Sequence, residues 1–301
     1  MYLIVGASGF VGKQLYKRLK SFDNVVKTLS RKDHPLFSDH IKKDLLTDEI
    51  KSDDLDNINT IFYLAAKTHD LRSPDKHVND EYESLNYRVP ISLLELAEKA
   101  GVENFIYISS IKAGLINEDK NDEYLPKGIY GKTKRKAELA LLSFSQRKET
   151  RIKVNILRPA LIYGPGMKGN LKSMLNGIKQ GWFPPLPETL NRKSMVHVDD
   201  LIRAILFITN NPDIKSQIFN VTDQQIYSTK KIYENLMQSQ GKKIPNFSLP
   251  FFIFKIVSKF STNLEYRINK LFDDQYFSSE KIQTLGFKAK MSLNQCDENL
   301  F

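Results

Sequence analysis

A short apolar strand that runs straight into three evenly spaced glycines opens the chain: residues 2–5 read YLIV and residues 5–12 read VGASGFVG. Gly6, Gly9 and Gly12 stand three apart, and helical spacing begins at Phe10 and continues through Val11, Leu15 and Leu19. A strand, a glycine turn and a helix in this order leave few folds open. Glycine lets the backbone turn sharply, and the N-terminus of the next helix presents free N–H groups and partial positive charge to an anion. The spacing is GxxGxxG rather than GxGxxG, and its place after the first strand suits the pyrophosphate of a dinucleotide, with Ser8, Phe10 and Val11 on the same turn.

Short β-rich runs then alternate with helical patterns. Residues 25–29 and a brief segment ending at Asp44 read as strands, residues 60–66 (TIFYLAA) as a buried strand, and residues 104–109 (NFIYIS) and 153–157 as two more. Helical spacing covers residues 81–100, stopped by Gly101, and residues 127–144. Such alternation requires right-handed crossovers and a parallel sheet covered on both faces. The predicted class is α/β, a doubly wound parallel sheet. After Pro159 the texture changes, with Gly164-Pro165-Gly166 breaking the chain and WFPPLP at residues 182–187 forming a rigid loop. The expected division is a dinucleotide-binding domain over residues 1–165 and a smaller substrate-binding lobe mainly over residues 166–301. Strand signals near Val196 and at residues 218–221 are candidates for return to the main sheet.

Length and composition bound the rest. A chain of 301 residues, 41% of them apolar, can build one large domain or two unequal ones. Its most apolar stretch, residues 249–257, is broken by Lys255 and falls short of the ~20 residues of a spanning helix. The N-terminus has no basic leader, so no secretory signal is expected. A single cysteine, Cys296, excludes an internal disulfide framework and is given no role, and five unpaired histidines make a metal site improbable. The net charge of +10 comes with scattered pairs such as Lys42-Lys43 and Lys242-Lys243, which reads as a solvated basic surface and not as a nucleic-acid site. The expectation is a soluble, cytoplasmic protein. Residues 247–260 (FSLPFFIFKIVSKF) carry two lysines, and core packing or a subunit contact is expected over a membrane surface.

Two further groups of residues carry chemistry. At the end of the second strand an acidic side chain would read the ribose hydroxyls, but Ser30-Arg31 stands there. Arg31 suits a 2′-phosphate, which favours NADP(H) over NAD(H). Asp44, with Leu45, suits the adenine edge or caps the following helix. Residues 130–134 read YGKTK, which puts Tyr130 and Lys134 on one face of a helix. A nearby ammonium lowers a phenol's pKa and fits it for proton exchange with a substrate oxygen. The strand before them ends in Ser109-Ser110, and Ser110 stands where a ligand crevice opens in such sheets. Asp199 and Asp200 read as caps for a helix starting at Leu201.

VGASGFVG, FYLAA, FIYISS, YGKTK, LRPALIYGPG and MVHVDDL occur in this order across the chain. The set resembles the extended short-chain dehydrogenase/reductases with a Rossmann domain, in their sugar-nucleotide epimerase/reductase group, and is similar to UDP-hexose 4-epimerase-like proteins of bacterial polysaccharide clusters. The resemblance implies Ser110, Tyr130 and Lys134 as the catalytic trio, ordered by Asn86. It implies that Leu64, Ala65, Ala66 and Lys67 pass beneath the cofactor and that Pro159 and Ile162 pack by the nicotinamide. On the substrate side it implies His69, which is equally well a surface-loop residue, together with Lys112, Leu161, Arg192, Lys193 and His197. Leu161 replaces the asparagine many relatives carry, and Lys193 stands where an arginine holds the UDP. The resemblance further implies a homodimer. The leading expectation is reduction of the C4 ketone of a UDP-4-keto-(6-deoxy-N-acetyl)hexose. The runner-up is a UDP-hexose(NAc) 4-epimerase with tightly bound NAD, and a non-enzymatic alternative is an NAD(P)-binding regulatory or scaffold protein.

Overall fold

The computed structural model describes residues 1–68, 76–114, 126 and 128–295. Among them nine strands are found: β1 (Tyr2–Val5), β2 (Val26–Ser30), β3 (His40–Lys42), β4 (Thr60–Tyr63), β5 (Asn104–Ile108), β6 (Lys153–Pro159), β7 (Leu161–Tyr163), β8 (Met195–His197) and β9 (Gln217–Val221). Seven of them form one sheet in the order β3-β2-β1-β4-β5-β6-β9. β1 pairs in parallel with β2 on one side and β4 on the other, so Val5 lies between Leu29 and Tyr63. Strand order reverses between β1 and β4, and ligands of doubly wound sheets bind beyond the strand ends at such a switch point.

The apolar runs form strands because both faces of the sheet are covered. Leu3, Val5, Ile61, Tyr63, Phe105, Tyr107, Val154 and Ile156 alternate along β1, β4, β5 and β6 and share one core cluster with Leu93, Leu94, Ala97, Ala137, Leu141 and Phe144 of two helices. Ile4, Phe62 and Ile106, on the opposite face, are equally inaccessible to solvent.

The chain divides into two compact units, Met1–Pro159 with Ile202–Asn220, and Ala160–Leu201 with Val221–Phe301. Against the expected boundary at 165/166, the first unit stops at Pro159 and regains a later segment. Of the two late strand signals, β9 returns to the main sheet, whereas Val196 lies in β8, which pairs in parallel with β7 as a separate ribbon. Asp200 corrects the capping expectation. The helix starts earlier, at Val198, and the buried Asp200 carboxylate accepts from the N–H groups of Lys290 and Met291 at 2.9 and 2.7 Å, which ties down residues 290 and 291.

The predicted helix over residues 81–100 is longer and irregular. An α-helical segment Lys76–Glu83 passes through a π turn, Ser84–Arg88, into Val89–Lys99. Pro90 has no N–H to return to the preceding turn. The carbonyls of Leu85 and Asn86 instead accept from the hydroxyls of Tyr63 and Tyr107 at 2.7 and 2.6 Å. Both phenols are wholly buried, and burial pushes them far above their ordinary pKa.

Core packing is not the fate of residues 247–260. Phe254 is buried, and Phe251 and Phe254 meet Phe272 of the helix Thr262–Phe272 edge-on at 5.0 and 5.4 Å. Phe247, Phe252, Ile256 and Phe260 face solvent.

Candidate active site

The opening turn has the geometry its sequence implies. Gly6 sits at φ +86°, and a Cβ there would lie 2.6 Å from the Ala65 nitrogen, so the loop after β4 passes directly against it. A Cβ on Gly12 would fall 2.6 Å from the Gly6 oxygen and 2.7 Å from that of Ala7. Gly9 donates to Gly6 at 3.0 Å. The helix Phe10–Lys20 starts on Gly9 with no side-chain cap and no acidic residue in its first turn. Its leading N–H groups and dipole therefore suit a diphosphate. Ser8, Phe10 and Val11 are half-buried around the same turn, and Leu64, Ala65, Ala66 and Lys67 follow β4, all half-buried. The cradle fits a dinucleotide.

At the end of β2 the Ser30 hydroxyl donates to the Lys32 carbonyl at 3.0 Å and lies 3.3 Å from His40 Nε2. Arg31 is exposed beside it. The nearby Asp33 carboxylate pairs with Lys42 at 2.7 Å. Asp44 Oδ1 accepts from Leu46 N at 3.1 Å, but the chain after it forms a turn and not the helix expected for it to cap, and Leu45 is half-buried beside the core cluster.

Ser110, Tyr130 and Lys134 converge on one short stretch of chain. The helix Gly128–Ser145 runs without a break, so Tyr130 and Lys134 lie one turn apart on one face, and both are buried. The Lys134 ammonium donates to the Ile108 carbonyl at 2.8 Å and rides 4.3 Å over the Tyr107 ring. Burial lowers its pKa to about 7, against an opposing pull from Glu138. Ser110 begins the 3-10 turn Ile111–Ala113, with its Oγ accepting from Lys112 N at 3.3 Å. The Lys112 ammonium stands 5.6 Å over the Tyr130 ring.

Gly131 explains the close approach. A Cβ there would lie 2.3 Å from the Lys112 oxygen, so any side chain would push the helix off the Ser110 turn. A glycine inside a helix costs about 1 kcal/mol against alanine, and that cost was a readable signal of a close backbone contact. Thr133 and the partners of Asn86 carried no such signal. Asn86, fully buried, accepts from Lys67 N at 3.0 Å and donates to Lys67 O at 3.2 Å and Thr133 Oγ1 at 3.1 Å. One side chain on the π turn thus fixes both the loop after β4 and the helix of Tyr130 and Lys134. Deeper along that helix, Glu138 takes a bidentate pair from Arg158, whose guanidinium also donates to the Gly114 carbonyl, all without solvent access. Pro159 ends β6 next to it.

In the second unit, Ile162 of β7 is half-buried and Leu161 is 37% exposed. Exposed Arg192 lies 5.2 Å over the Tyr276 ring. Lys193 points inward. Its ammonium donates to the carbonyls of Lys270 and Asp273 at 3.3 and 2.8 Å, and burial lowers its pKa to about 8. His197 is buried edge-on to Tyr163 at 5.2 Å. Its Nδ1 accepts from Asp199 N at 3.2 Å, and burial lowers its pKa. His69 and Cys296 lie outside the described residues.

Residues 2–222 match the family described as "NAD dependent epimerase/dehydratase family". Over 309 residues the chain is 28% identical to the N-acetyl-alpha-D-glucosaminyl-diphospho-ditrans,octacis-undecaprenol 4-epimerase of Escherichia coli O157:H7, covering 97% of this chain and 92% of that protein. It is also 28% identical to the UDP-glucose 4-epimerase of Vibrio cholerae over the same shares. Its fold matches that of the UDP-glucuronic acid 4-epimerase from Bacillus cereus in complex with NAD, with a TM-score of 0.77 at 20% identity, covering 99% of this chain and 96% of that one. With the glycine cradle and the Tyr–Lys helix it contains, the chain belongs to the NAD dependent epimerase/dehydratase family.

Proposed function

We propose that the protein is a 4-epimerase of a sugar carried on a diphosphate, with NAD as its resident cofactor. The observation that carries this reading is the burial of Tyr130 and Lys134 one turn apart against the Ser110 turn. Two relatives that align over nearly the whole chain are named as 4-epimerases, one of a UDP-sugar and one of a polyprenol-diphosphate sugar. The diphosphate is common to both, so the carrier is left as that shared chemistry.

Gly6, Gly9 and Gly12 would hold the pyrophosphate of a dinucleotide, with the segment after β4 beside them, and that group would supply reversible hydride transfer at the sugar carbon. Tyr130 takes the proton of the C4 hydroxyl as that carbon is oxidised and returns it on reduction. Ser110 donates a hydrogen bond to the same oxygen, and the Lys134 cation stabilises the phenolate. In the second unit, exposed Arg192 is a candidate cation for the diphosphate, and Lys193 holds the segment beneath it.

One observation favours a second reading. Exposed Arg31 follows a β2 end that lacks a ribose-binding carboxylate, and Asp33 is paired with Lys42. That arrangement suits NADP(H) and reduction of a UDP-4-keto sugar. An epimerase retains cofactor through purification and interconverts its sugars with no added nicotinamide. A reductase consumes NADPH in proportion to keto sugar. Tyr130→Phe abolishes turnover in either case while dinucleotide still binds, and undiminished turnover in that variant refutes both.

A further inference from the structure

We infer that the paired helices Phe251–Ser258 and Thr262–Phe272 form a docking surface for an anionic lipid bilayer. Phe252, Ile256 and Phe260 recur at intervals of four, which is one helix face, and they are 60%, 51% and 79% exposed. The opposite face is also apolar. It holds buried Phe254, which packs on Phe272. A helix with two opposite apolar faces needs an apolar surface against each, yet this one is covered on a single side by its own unit. Phe247, 67% exposed, precedes the helix.

The charges decide what covers it. Between residues 242 and 270 there are six basic residues and one acidic residue, Glu265. Lys255, Lys259 and Arg267 are exposed among the aromatic side chains and not confined to a distant rim. In a two-fold contact with a second copy these cations would meet the same cations, with Glu265 as the one acidic residue of residues 242–270 to answer them. A bilayer rich in anionic headgroups resolves both demands. The phenyl rings enter the acyl boundary, while the lysine stems lie along it and carry their ammonium groups to the phosphates. No helix among the described residues is long and apolar enough to cross a membrane, so the contact is peripheral. The inference does not depend on which reaction the protein catalyses.

The test is co-sedimentation of the full chain with sucrose-loaded vesicles, either phosphatidylcholine alone or phosphatidylcholine and phosphatidylglycerol in equal parts. The protein pellets with the anionic vesicles, stays largely free with the neutral ones, and is released by salt. Lys255→Glu/Lys259→Glu weakens partitioning by about fivefold or more for each cation removed. Phe252→Ser/Phe260→Ser weakens it at least tenfold, and both variants keep the wild-type circular dichroism. Failure to pellet with anionic vesicles overturns the inference, as does undiminished binding by both variants. It is equally overturned if sedimentation velocity shows a dimer that Phe252→Ser/Phe260→Ser dissociates while no vesicles are bound, because a second copy is then the occupant.

Discussion

The buried Arg158–Glu138 pair offers the sharpest test of how the helix Gly128–Ser145 is held. Neither side chain has solvent access, and Arg158 Nε reaches Glu138 Oε1 at 2.7 Å in a two-pronged contact. Replacing Glu138 by leucine strands a guanidinium whose remaining bond is to the Gly114 carbonyl. Replacing Arg158 by methionine strands a carboxylate whose nearest other cation is Arg135 at 3.8 Å. Leaving one buried charge without its partner costs about 3–5 kcal/mol, whereas exchanging both for apolar groups of similar volume is often neutral. Independent effects would therefore sum to about 8 kcal/mol, but the double variant should lose only about 1–2 kcal/mol, mostly for the Gly114 carbonyl. Urea unfolding followed by far-ultraviolet circular dichroism gives the cycle. The lone tryptophan, Trp182, belongs to the second unit and reports on that unit instead. If the double variant is as unstable as the sum of the singles, the pair does not act as a coupled buried unit and the argument fails.

Gly6→Ala puts a methyl group 2.6 Å from the Ala65 nitrogen at a φ of +86°, so dinucleotide affinity by calorimetry should fall at least tenfold. Affinity within a factor of two of wild type refutes the tight cradle. Lys134 binds its proton more weakly folded, at about 7, than its usual 10.5, so the unfolded chain holds more protons between those values. Wild-type stability should thus rise from pH 7 toward pH 10 relative to Lys134→Met, by up to about 1.4 kcal/mol per pH unit; parallel pH profiles contradict it. Arg31→Glu should shift the NADP(H)-to-NAD(H) affinity ratio toward NAD(H) by tenfold or more, through repulsion of a 2′-phosphate. An unchanged ratio removes Arg31 from cofactor selection.

Much of the site was legible because its signals are local. The glycine turn has to follow a strand and open a helix, and four-residue spacing puts Tyr130 and Lys134 on one face whatever surrounds them. The parallel sheet followed from the alternation of apolar runs and helical patterns. Asn86 could be placed in a buried helix, but its bonds to Lys67 and Thr133 join residues 19 and 47 positions away. The boundary at 165/166 rested on a change of texture, and the strand signal at residues 218–221 pointed to a returning segment, which spans Ile202–Asn220.

The sequence by itself determined the αβ alternation, the glycine turn and the spacing of Tyr130 and Lys134, since each depends on backbone geometry over a few residues. Only the tertiary structure decided which polar groups were already engaged. Lys193 turned inward to two carbonyls, Asp200 anchored residues 290 and 291, and Ser30 bonded back to its own loop. It also decided that the aromatic helix near residue 255 has one covered face and one open one. A side chain's partner and its access to water are properties of what folds against it, and a one-dimensional pattern does not contain them.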